Sequence, residues 1–460
     1  MPRPGLAVLN ENLAAELGLD VAALREKGAE IFAGNALPSG ADPIAQAYAG
    51  HQFGHFTNLG DGRAILLGEQ ITSGGGRFDI QLKGSGQTPY SRRGDGRAAL
   101  GPMLREYIIS EAMHAHGIPT TRSLAVVTTG EQIVREELLP GAVLTRVAAS
   151  HIRVGTFEYA SAIGDRAALE ALTRHTLERH YPDSVGADHP ASALFEGVLE
   201  RQAKLIAQWV CVGFVHGVMN TDNMALSGET IDYGPCAFID TYNPGTVFSS
   251  IDRGGRYAYA NQPNIAHWNL ARLAEALLPL MDADKDIAVA AVEEVLGKFP
   301  DRFRAHYTAG LRAKLGLLTE EEGDYNLARE FLDWMKMAEA DFTSSFAALT
   351  KRIETGRMEG PISFGGAPLR SWLEKWDARL ERQQKSKAEI VGLMRPANPV
   401  VIPRNHRVEE ALAAANRGDF AVMSRLLEVL RAPFAETPQN EPYRDAPPAG
   451  DAPYRTFCGT

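Results

Sequence analysis

The sequence predicts an α+β protein with a small lobe built on an antiparallel sheet and a larger helical lobe that continues into an α-helical C-terminal extension. Segments with strand-like patterns are concentrated between residues 50 and 150. Residues from about 155 to 430 carry apolar side chains mostly at helical spacing. The chain has 460 residues, 45% hydrophobic and 23% charged, which is enough for two or three core-bearing lobes of ordinary globular composition.

These patterns divide the chain into five segments with different composition. They are a helical lead-in (1–50), a sheet-rich N-lobe (51–150), a helical C-lobe that holds the active site (151–320), a helical extension (321–435) and a loose tail rich in Pro, Asp, Ala and Gly (436–460).

In the N-lobe, residues 64–67 and 78–83 predict a hairpin, because they bracket a turn made of one serine and three glycines at 73–76. Residues 97–116 predict one long helix, which Gly117 would end. Further strands are predicted at 124–128, 132–135 and 142–147.

Charge and cysteine content exclude several classes of protein. A formal net charge of −10 argues against sequence-independent binding of nucleic acid, which needs a basic surface. Three cysteines, Cys211, Cys236 and Cys458, form neither a disulfide framework nor a zinc-type spacing. The most apolar stretch, at 205–219, contains polar residues and predicts a buried helix, not a membrane span. We therefore expect a cytoplasmic protein without nucleic-acid or membrane partners.

The most specific pattern lies at residues 216–234. Asn223 and Asp232 would lie close together if residues 224–227 and 230–234 formed two short strands joined by a Ser-Gly turn. Amide and carboxylate oxygens suit Mg²⁺ that is also bound by phosphates. This order of elements predicts a nucleotide and metal site of the protein-kinase type.

One position in this segment departs from a kinase. Val218 stands where a kinase keeps its catalytic aspartate. Asp222, next to the metal ligand Asn223, is a carboxylate that could instead accept a proton.

Three weaker signals precede this segment in the order in which a kinase has them. Gly60 and Gly62, followed by Arg63, form a turn whose backbone N–H groups could approach phosphate, although an ordinary hairpin turn has the same pattern. Lys83 near a strand end could meet phosphate or be solvated. Glu106 on the 97–116 helix could hold that lysine or pair with a neighbour such as Arg105.

Anion recognition is also indicated by arginines and glycines. The loop at 84–97, which includes Asp95 and Gly96, combines four glycines with three arginines. A flexible surface loop is the alternative. Arg146, in an otherwise apolar strand, and Arg153 need partners, either structural carboxylates or ligand phosphates.

The chain resembles the selenoprotein O family of kinase-fold proteins once called pseudokinases. The resemblance runs from about residue 8 to the C-terminus. It is carried by the long and unusual blocks at 48–54 (Tyr48-Ala49-Gly50-His51-Gln52-Phe53-Gly54), 79–86, 213–223 and 402–406.

The resemblance implies protein AMPylation, in which ATP binds in a flipped orientation and AMP is transferred to Ser, Thr or Tyr hydroxyls of protein substrates with release of pyrophosphate. The cofactors implied are ATP and Mg²⁺, with Mn²⁺ as an alternative metal. Matching positions suggest a proton acceptor (Asp222), metal ligands (Asn223 and Asp232), nucleotide contacts (Gly60, Gly62, Arg63, Lys83, Asp95, Gly96, Arg146, Arg153 and Asp232) and a supporting glutamate (Glu106).

Two other functions compete with adenylyl transfer. The chain could be an atypical kinase that moves the γ-phosphate, or a non-catalytic ATP-binding scaffold. A departure from some family members lies in the tail, where Cys458 is an ordinary cysteine. The loop with which a tail cysteine is thought to pair in some bacterial members carries Ser249 and no cysteine, and Cys236 is the alternative near the site.

Overall fold

The computed structural model of the chain describes residues 1–357, 366–447 and 454–456. Its strands are β1 (Gly5–Leu9), β2 (Ala49–Gln52), β3 (His55–Asn58), β4 (Ala64–Ile71), β5 (Arg77–Lys83), β6 (Ala98–Ala99), β7 (Arg122–Val134), β8 (Leu138–Ala148), β9 (Phe214–Val215) and β10 (Ala237–Phe238). In the described residues, a six-stranded antiparallel sheet has the order β1-β7-β8-β5-β4, with β6 paired to β8. Two small sheets pair β2 with β3 and β9 with β10.

Helices make up most of the remaining described chain. They are α1 (Glu11–Glu16), α2 (Val21–Phe32), α3 (Leu100–Ala115), α4 (Val154–Ala162), α5 (Arg166–His180), α6 (Pro190–Val212), α7 (Gln262–Met281), α8 (Lys285–Leu296), α9 (Phe299–Leu315), α10 (Asp324–Met337), α11 (Phe342–Thr355), α12 (Gly366–Arg382), α13 (Lys387–Met394), α14 (Asn405–Asn416) and α15 (Ala421–Leu430). The prediction of an α+β protein with a small antiparallel sheet and many helices is confirmed.

The predicted helical lead-in contains α1 and α2, each begun by a side-chain cap. Asn10 accepts a hydrogen bond from Leu13 N, and Asp20 accepts one from Ala23 N. Apolar residues of both helices form a core with β5, β7 and β8. The strand β1, which pairs with β7 at the edge of the sheet, was not predicted.

The central strands place two cations on one face of the sheet. In the pairing of β5 with β8, Gln81 lies opposite Arg146 and Lys83 lies opposite Leu144. Since side chains alternate along a strand, Gln81, Lys83 and Arg146 share a face, while Leu82 points to the core with α1 and α2. The first face is covered by α3, which begins at Leu100 and not at residue 97, because residues 98–99 pair with β8.

Two predictions of strands are wrong in detail. Residues 124–128 and 132–135 are not separate strands, because β7 runs through both with a register shift between Thr128 and Gln132. Residues 224–227 and 230–234 do not pair with each other. Instead, Ala225 bridges Arg153 and Thr230 bridges Thr120, so the segment is held by the neighbouring loops.

Thr456 contacts the loop that follows β10. Thr456 N donates to Phe248 O at 2.9 Å, and Ser250 N donates to Thr456 O at 3.1 Å. Cys236 is buried, whereas Cys458 lies outside the described residues. None of the described helices is both long enough and apolar enough to span a membrane.

Candidate active site

A polar cavity of about 340 Å³ lies between the sheet, the loops at 59–63 and 90–97, and the segment that contains Asp222 and Asp232. Every residue predicted to contact nucleotide, metal or the reacting hydroxyl lines this cavity, namely Gly60, Gly62, Arg63, Lys83, Asp95, Gly96, Arg146, Arg153, Asp222, Asn223 and Asp232. Glu106 lies behind the wall and is buried. The tertiary structure therefore brings the whole predicted set together.

Lys83, Arg146, Glu106 and Asp232 form one buried network. The Lys83 ammonium donates to Glu106 Oε2 at 2.7 Å and also to Asp232 Oδ1. Arg146 donates through Nε to Glu106 Oε1 at 2.8 Å and through Nη2 to Asp232 Oδ1 at 3.2 Å. Because Lys83 is buried, it is not the solvated strand-end lysine of the alternative interpretation. Each cation is shared between a carboxylate behind the wall and one in the cavity.

Asp232 is the member of this network that faces the cavity. Its side chain is 32% exposed, whereas that of Glu106 is 3% exposed. Burial opposes ionisation of Asp232, but Lys83 and Arg146 outweigh it and hold its pKa well below the usual range. Asp232 is therefore an anion over the whole physiological pH range.

Asn223 lies in a single 3₁₀ turn, Thr221–Asn223, that follows the loop from β9. Its side-chain nitrogen donates to Val218 O at 3.0 Å, so its oxygen is the group that this hydrogen bond leaves for a ligand. Val218 thus supports the Asn223 side chain through its backbone.

The donor set fits Mg²⁺ or Mn²⁺ bound together with a triphosphate. Asn223 and Asp232 supply two hard oxygen groups to the same cavity. Within the described residues there is no cluster of three or more His, Cys, Asp or Glu that could hold a metal by itself. A metal at this position would therefore take its other ligands from phosphate and water, as Mg²⁺ commonly does.

Asp222 occupies a tight and largely dry position. Its side chain is buried, and its Oδ1 has no hydrogen-bond partner in the described part of the chain. The strand β2 covers it so closely that a Cβ on Gly50 would lie 2.8 Å from the carboxylate carbon. Burial raises the pKa of Asp222 to about 7, although Arg153 opposes the shift. A carboxylate with this pKa is suited to accept a proton near neutral pH.

Arg153 borders Asp222 on the other side. Its Nη1 donates to the backbone oxygen of Asp222 at 2.9 Å, and its guanidinium lies 4.5 Å from the ring centre of Tyr48. The nearest carboxylate is that of Asp61, at 3.8 Å. Because this ion pair is long, Arg153 has capacity left for an anionic ligand.

Packing explains why glycines stand at the cavity rim, which the sequence did not reveal. Gly60 has φ of +102°, and a Cβ there would overlap the ring of Tyr90. Gly96 has φ of +66°, and a Cβ there would overlap the backbone of Gly86. Gly60 thus allows the 59–63 loop to pack on the 84–97 loop, and Gly96 allows the two ends of the 84–97 loop to pack on each other.

Asp95 lies at the outer edge of the cavity. Its carboxylate accepts hydrogen bonds from Arg135 at 2.8 and 3.1 Å and from Arg97 N at 2.9 Å. The Asp95 side chain is 47% exposed. Asp95 therefore orders the arginines of the rim.

Several lining residues were not among the predicted site residues. They are Tyr48, Gln52, Leu59, Asp61, Ala64, Tyr90, Ser91, Arg92, Gly94, Arg97 and Arg135. Asp61 had a signal in the sequence, because it stands between the two glycines of the rim. Tyr48 and Gln52 lie in the block at 48–54, which carries part of the family resemblance.

Comparison with known proteins identifies the family. The family model described as "Protein adenylyltransferase SelO" matches residues 1–431. A protein of Geobacillus kaustophilus named "Protein nucleotidyltransferase YdiU" is 60% identical over 459 residues, which cover 99% of this chain and 94% of that protein. Proteins of the same name from Halalkalibacterium halodurans and Rhizobium etli are 59% and 58% identical, over 99% of this chain and 93% and 92% of theirs.

These matches confirm the predicted family and the predicted enzyme class, a nucleotidyltransferase. They extend over nearly the full length of the relatives and include all the residues that line the cavity. The chain belongs to the SelO family of protein adenylyltransferases.

Proposed function

We propose that this chain transfers AMP from ATP to Ser, Thr or Tyr hydroxyl groups of other proteins and releases pyrophosphate. The observation that carries the proposal is the convergence of three kinds of group in one cavity. Lys83 and the arginines are cations for a triphosphate, Asn223 and Asp232 are oxygen ligands for a metal, and Asp222 is a carboxylate with a pKa of about 7. The family description adds the adenylyl group.

We also propose that the molecule has the two-lobed arrangement of a protein kinase, with the divisions at residues 50, 150, 320 and 435. In this arrangement the sheet carries Lys83 and Arg146, and the helical lobe carries Asn223 and Asp232. The cavity would then be the cleft between the lobes, which supports the comparison with kinases.

The transfer step needs a base and charge stabilisation. The acceptor oxygen attacks the α-phosphorus, a new P–O bond forms, and the bond from the α-phosphorus to the pyrophosphate oxygen breaks. Asp222 takes the proton of the hydroxyl. Lys83, Arg146 and Arg153 stabilise the negative charge that grows on the leaving pyrophosphate.

A metal held in this site would supply charge neutralisation and orientation. Bound by Asn223 and Asp232, Mg²⁺ or Mn²⁺ would neutralise phosphate oxygens of the nucleotide. The chain's own residues hold that arrangement in place, because Glu106 keeps Lys83 and Arg146 beside Asp232. Catalysis would then depend mainly on positioning.

Labelled ATP separates adenylyl transfer from kinase activity. We expect label from [α-³²P]ATP, and none from [γ-³²P]ATP, to enter acceptor protein. Label that enters only from the γ position would contradict the proposal and favour an atypical kinase.

The Asp232→Ala variant distinguishes an enzyme from a scaffold. We expect the variant to lose ATP turnover, and EDTA to have the same effect on the wild type. A wild type that binds ATP but shows no turnover with either label would favour the scaffold.

A further inference from the structure

We propose that Arg256, beside the turn of the β2–β3 hairpin, binds an acidic side chain of the acceptor protein. The enzyme would thereby prefer hydroxyl groups that have a carboxylate a few residues away. This inference rests on the proposed function, because it names a feature of the acceptor for that reaction.

The β2–β3 hairpin is attached directly to the segment that carries Asp222. His51 N donates to Thr221 Oγ1 at 2.7 Å, and Phe53 N donates to Asn220 Oδ1 at 3.1 Å. Gln52, between these two anchors, lines the cavity together with Asp222. The hairpin therefore runs outward from the point where the acceptor hydroxyl must lose its proton.

Arg256 lies at the outer end of this hairpin. A Cβ on Gly54 would be 3.8 Å from Arg256 Nη2, and the guanidinium carbon is 4.8 Å from the centre of the Trp268 ring. Trp268 also contacts the ring of His51, with the ring centres 5.3 Å apart. Arg256 is thus held by the same aromatic ring that supports the hairpin.

The loop of Arg256 is tied to the site independently of its side chain. Asp252 accepts hydrogen bonds from Arg256 N at 2.9 Å and from Tyr257 N at 2.8 Å. The Tyr257 hydroxyl donates to Asn220 Oδ1 at 2.6 Å, the same oxygen that anchors the hairpin. Asn220 therefore fixes the distance between the loop and the hairpin.

The Arg256 side chain shares a hydrogen bond with that of Tyr257. Among the described residues it has no carboxylate within 4.0 Å, and its buried Nε has no hydrogen-bond partner there. Arg272, which lies over the same Trp268 ring at 5.0 Å, is instead paired with Glu275 at 2.7 Å. Arginine is usually paired where it is partly buried, since an unmatched guanidinium is costly. The charge of Arg256 is therefore not matched by a carboxylate of the described chain, and it can bind an anion from outside.

A protein carboxylate suits this position better than a nucleotide phosphate. Arg256 is not part of the cavity wall, where Lys83, Arg146 and Arg153 already face the place for the triphosphate. Exposed apolar side chains lie on the same two segments, with Phe56 of the hairpin at 47% and Ile251 of the loop of Arg256 at 57% exposure. A surface that combines guanidinium with apolar contacts is typical of peptide recognition.

The geometry also predicts the spacing between hydroxyl and carboxylate. Gln52 at the cavity and Gly54 beside Arg256 are two residues apart, at most about 7 Å between their Cα atoms. An extended acceptor segment advances about 3.3 Å per residue. The carboxylate should therefore lie two to four residues from the modified hydroxyl, on one side only.

Peptides test this spacing without knowledge of the natural acceptor. Each peptide carries a central Ser and a single Glu at one of the four positions on either side, and its partner carries Gln at that position. Fluorescence anisotropy measures binding to the full-length protein, and [α-³²P]ATP measures kcat and KM. We expect Glu to lower the dissociation constant and the peptide KM about tenfold at its best position, with KM for ATP unchanged.

Variants of two arginines on the same ring complete the test. Arg256→Gln should remove the preference for Glu and Arg256→Lys should restore part of it, whereas Arg272→Gln should retain it. Equal affinity of the wild type for Glu and Gln peptides at every position would overturn the inference, as would an Arg256→Gln variant that keeps the preference. Adenylyl transfer without any preference leaves the proposed function standing. Preferential binding of Glu peptides without transfer contradicts the proposed function and leaves the anion site in place.

Discussion

The ammonium of Lys83 and the carboxylate of Glu106 are 2.7 Å apart inside the protein, joined across the face of the sheet that α3 covers. The same carboxylate binds Arg146, so one buried anion holds both cations of the cavity wall. Burial opposes the charge on Glu106, but Arg146 and Lys83 outweigh it and lower its pKa. Glu106 thus makes it favourable to keep two cations in place before a nucleotide binds.

Removal of the Glu106 charge should therefore destabilise the protein and the site together. We expect Glu106→Gln to lower the free energy of unfolding by about 3 kcal/mol, because two buried cations would lose their shared partner. The measurement is urea denaturation, together with ATP affinity by calorimetry. Glu16→Gln is the control, since Glu16 is 60% exposed and lies 3.6 Å from Arg122. Equal stability of the two variants would contradict the role of Glu106.

Asp222→Asn should separate turnover from nucleotide binding. The amide keeps the shape of the carboxylate but cannot take the proton of the acceptor, so we expect AMP transfer to fall about 10²- to 10⁴-fold. ATP affinity should change little, because Asp222 contributes no contact to the Lys83 network. Rates with [α-³²P]ATP and calorimetric titrations measure the two effects. A variant with more than a tenth of the wild-type rate would exclude Asp222 as the base.

Gly50→Ala should impair catalysis by contact with Asp222. The new Cβ would lie 2.8 Å from the Asp222 carboxylate carbon, so the side chain would have to move. We expect kcat to fall at least tenfold while KM for ATP stays within about twofold. Gly323→Ala is the matched control, because a Cβ there meets no atom within 4 Å. Unchanged kcat in Gly50→Ala would show that the hairpin does not constrain Asp222.

Glu229 should make the stability of the protein depend on pH. Burial raises its pKa to about 7 from an ordinary 4.5, although hydrogen bonds from Ser227 and Ala149 N oppose the shift. Between these values the folded protein holds a proton that the unfolded chain has lost, so stability falls as the pH rises from 4.5 to about 7.

Glu229→Gln removes this titration. The free energy of unfolding of the wild type should fall on going from pH 5 to pH 8, and that of the variant should not show this fall. The difference between the two proteins should therefore move in favour of the variant by about 1–3 kcal/mol over this range. Urea denaturation at both pH values provides the comparison. Parallel pH profiles for the two proteins would show that Glu229 does not titrate with folding.

Much of the site could be predicted from the sequence because its residue types are unusual in their places. Lys83 lies in a strand that is half apolar, and Arg146 lies in a strand that is otherwise apolar. These two residues, like Asn223 and Asp232, each need a partner or a ligand. Their order along the chain, which is that of a protein kinase, indicated that they belong to one site. The family blocks then indicated which reaction the site would perform.

Local patterns failed where contacts between distant segments decide the backbone. The strands predicted at 224–227 and 230–234 do not exist, since Ala225 and Thr230 bridge to Arg153 and Thr120 instead. The strand Gly5–Leu9 was missed because its pairing with β7 lies more than a hundred residues away in the sequence. Such long-range pairing leaves little periodic signal in a short segment.

By itself, the sequence determined the mixed class with a small antiparallel sheet and the family. It also predicted the residues of the candidate site, because residue type and spacing already carry the chemistry of phosphate and metal. Only the tertiary structure decided how those residues are used. It shows that Glu106 holds Lys83 and Arg146 together and that Gly50 covers Asp222. It also shows that no carboxylate of the described residues pairs with Arg256. The physical reason is that pKa values and ion pairs depend on distance and burial, which packing between remote segments sets.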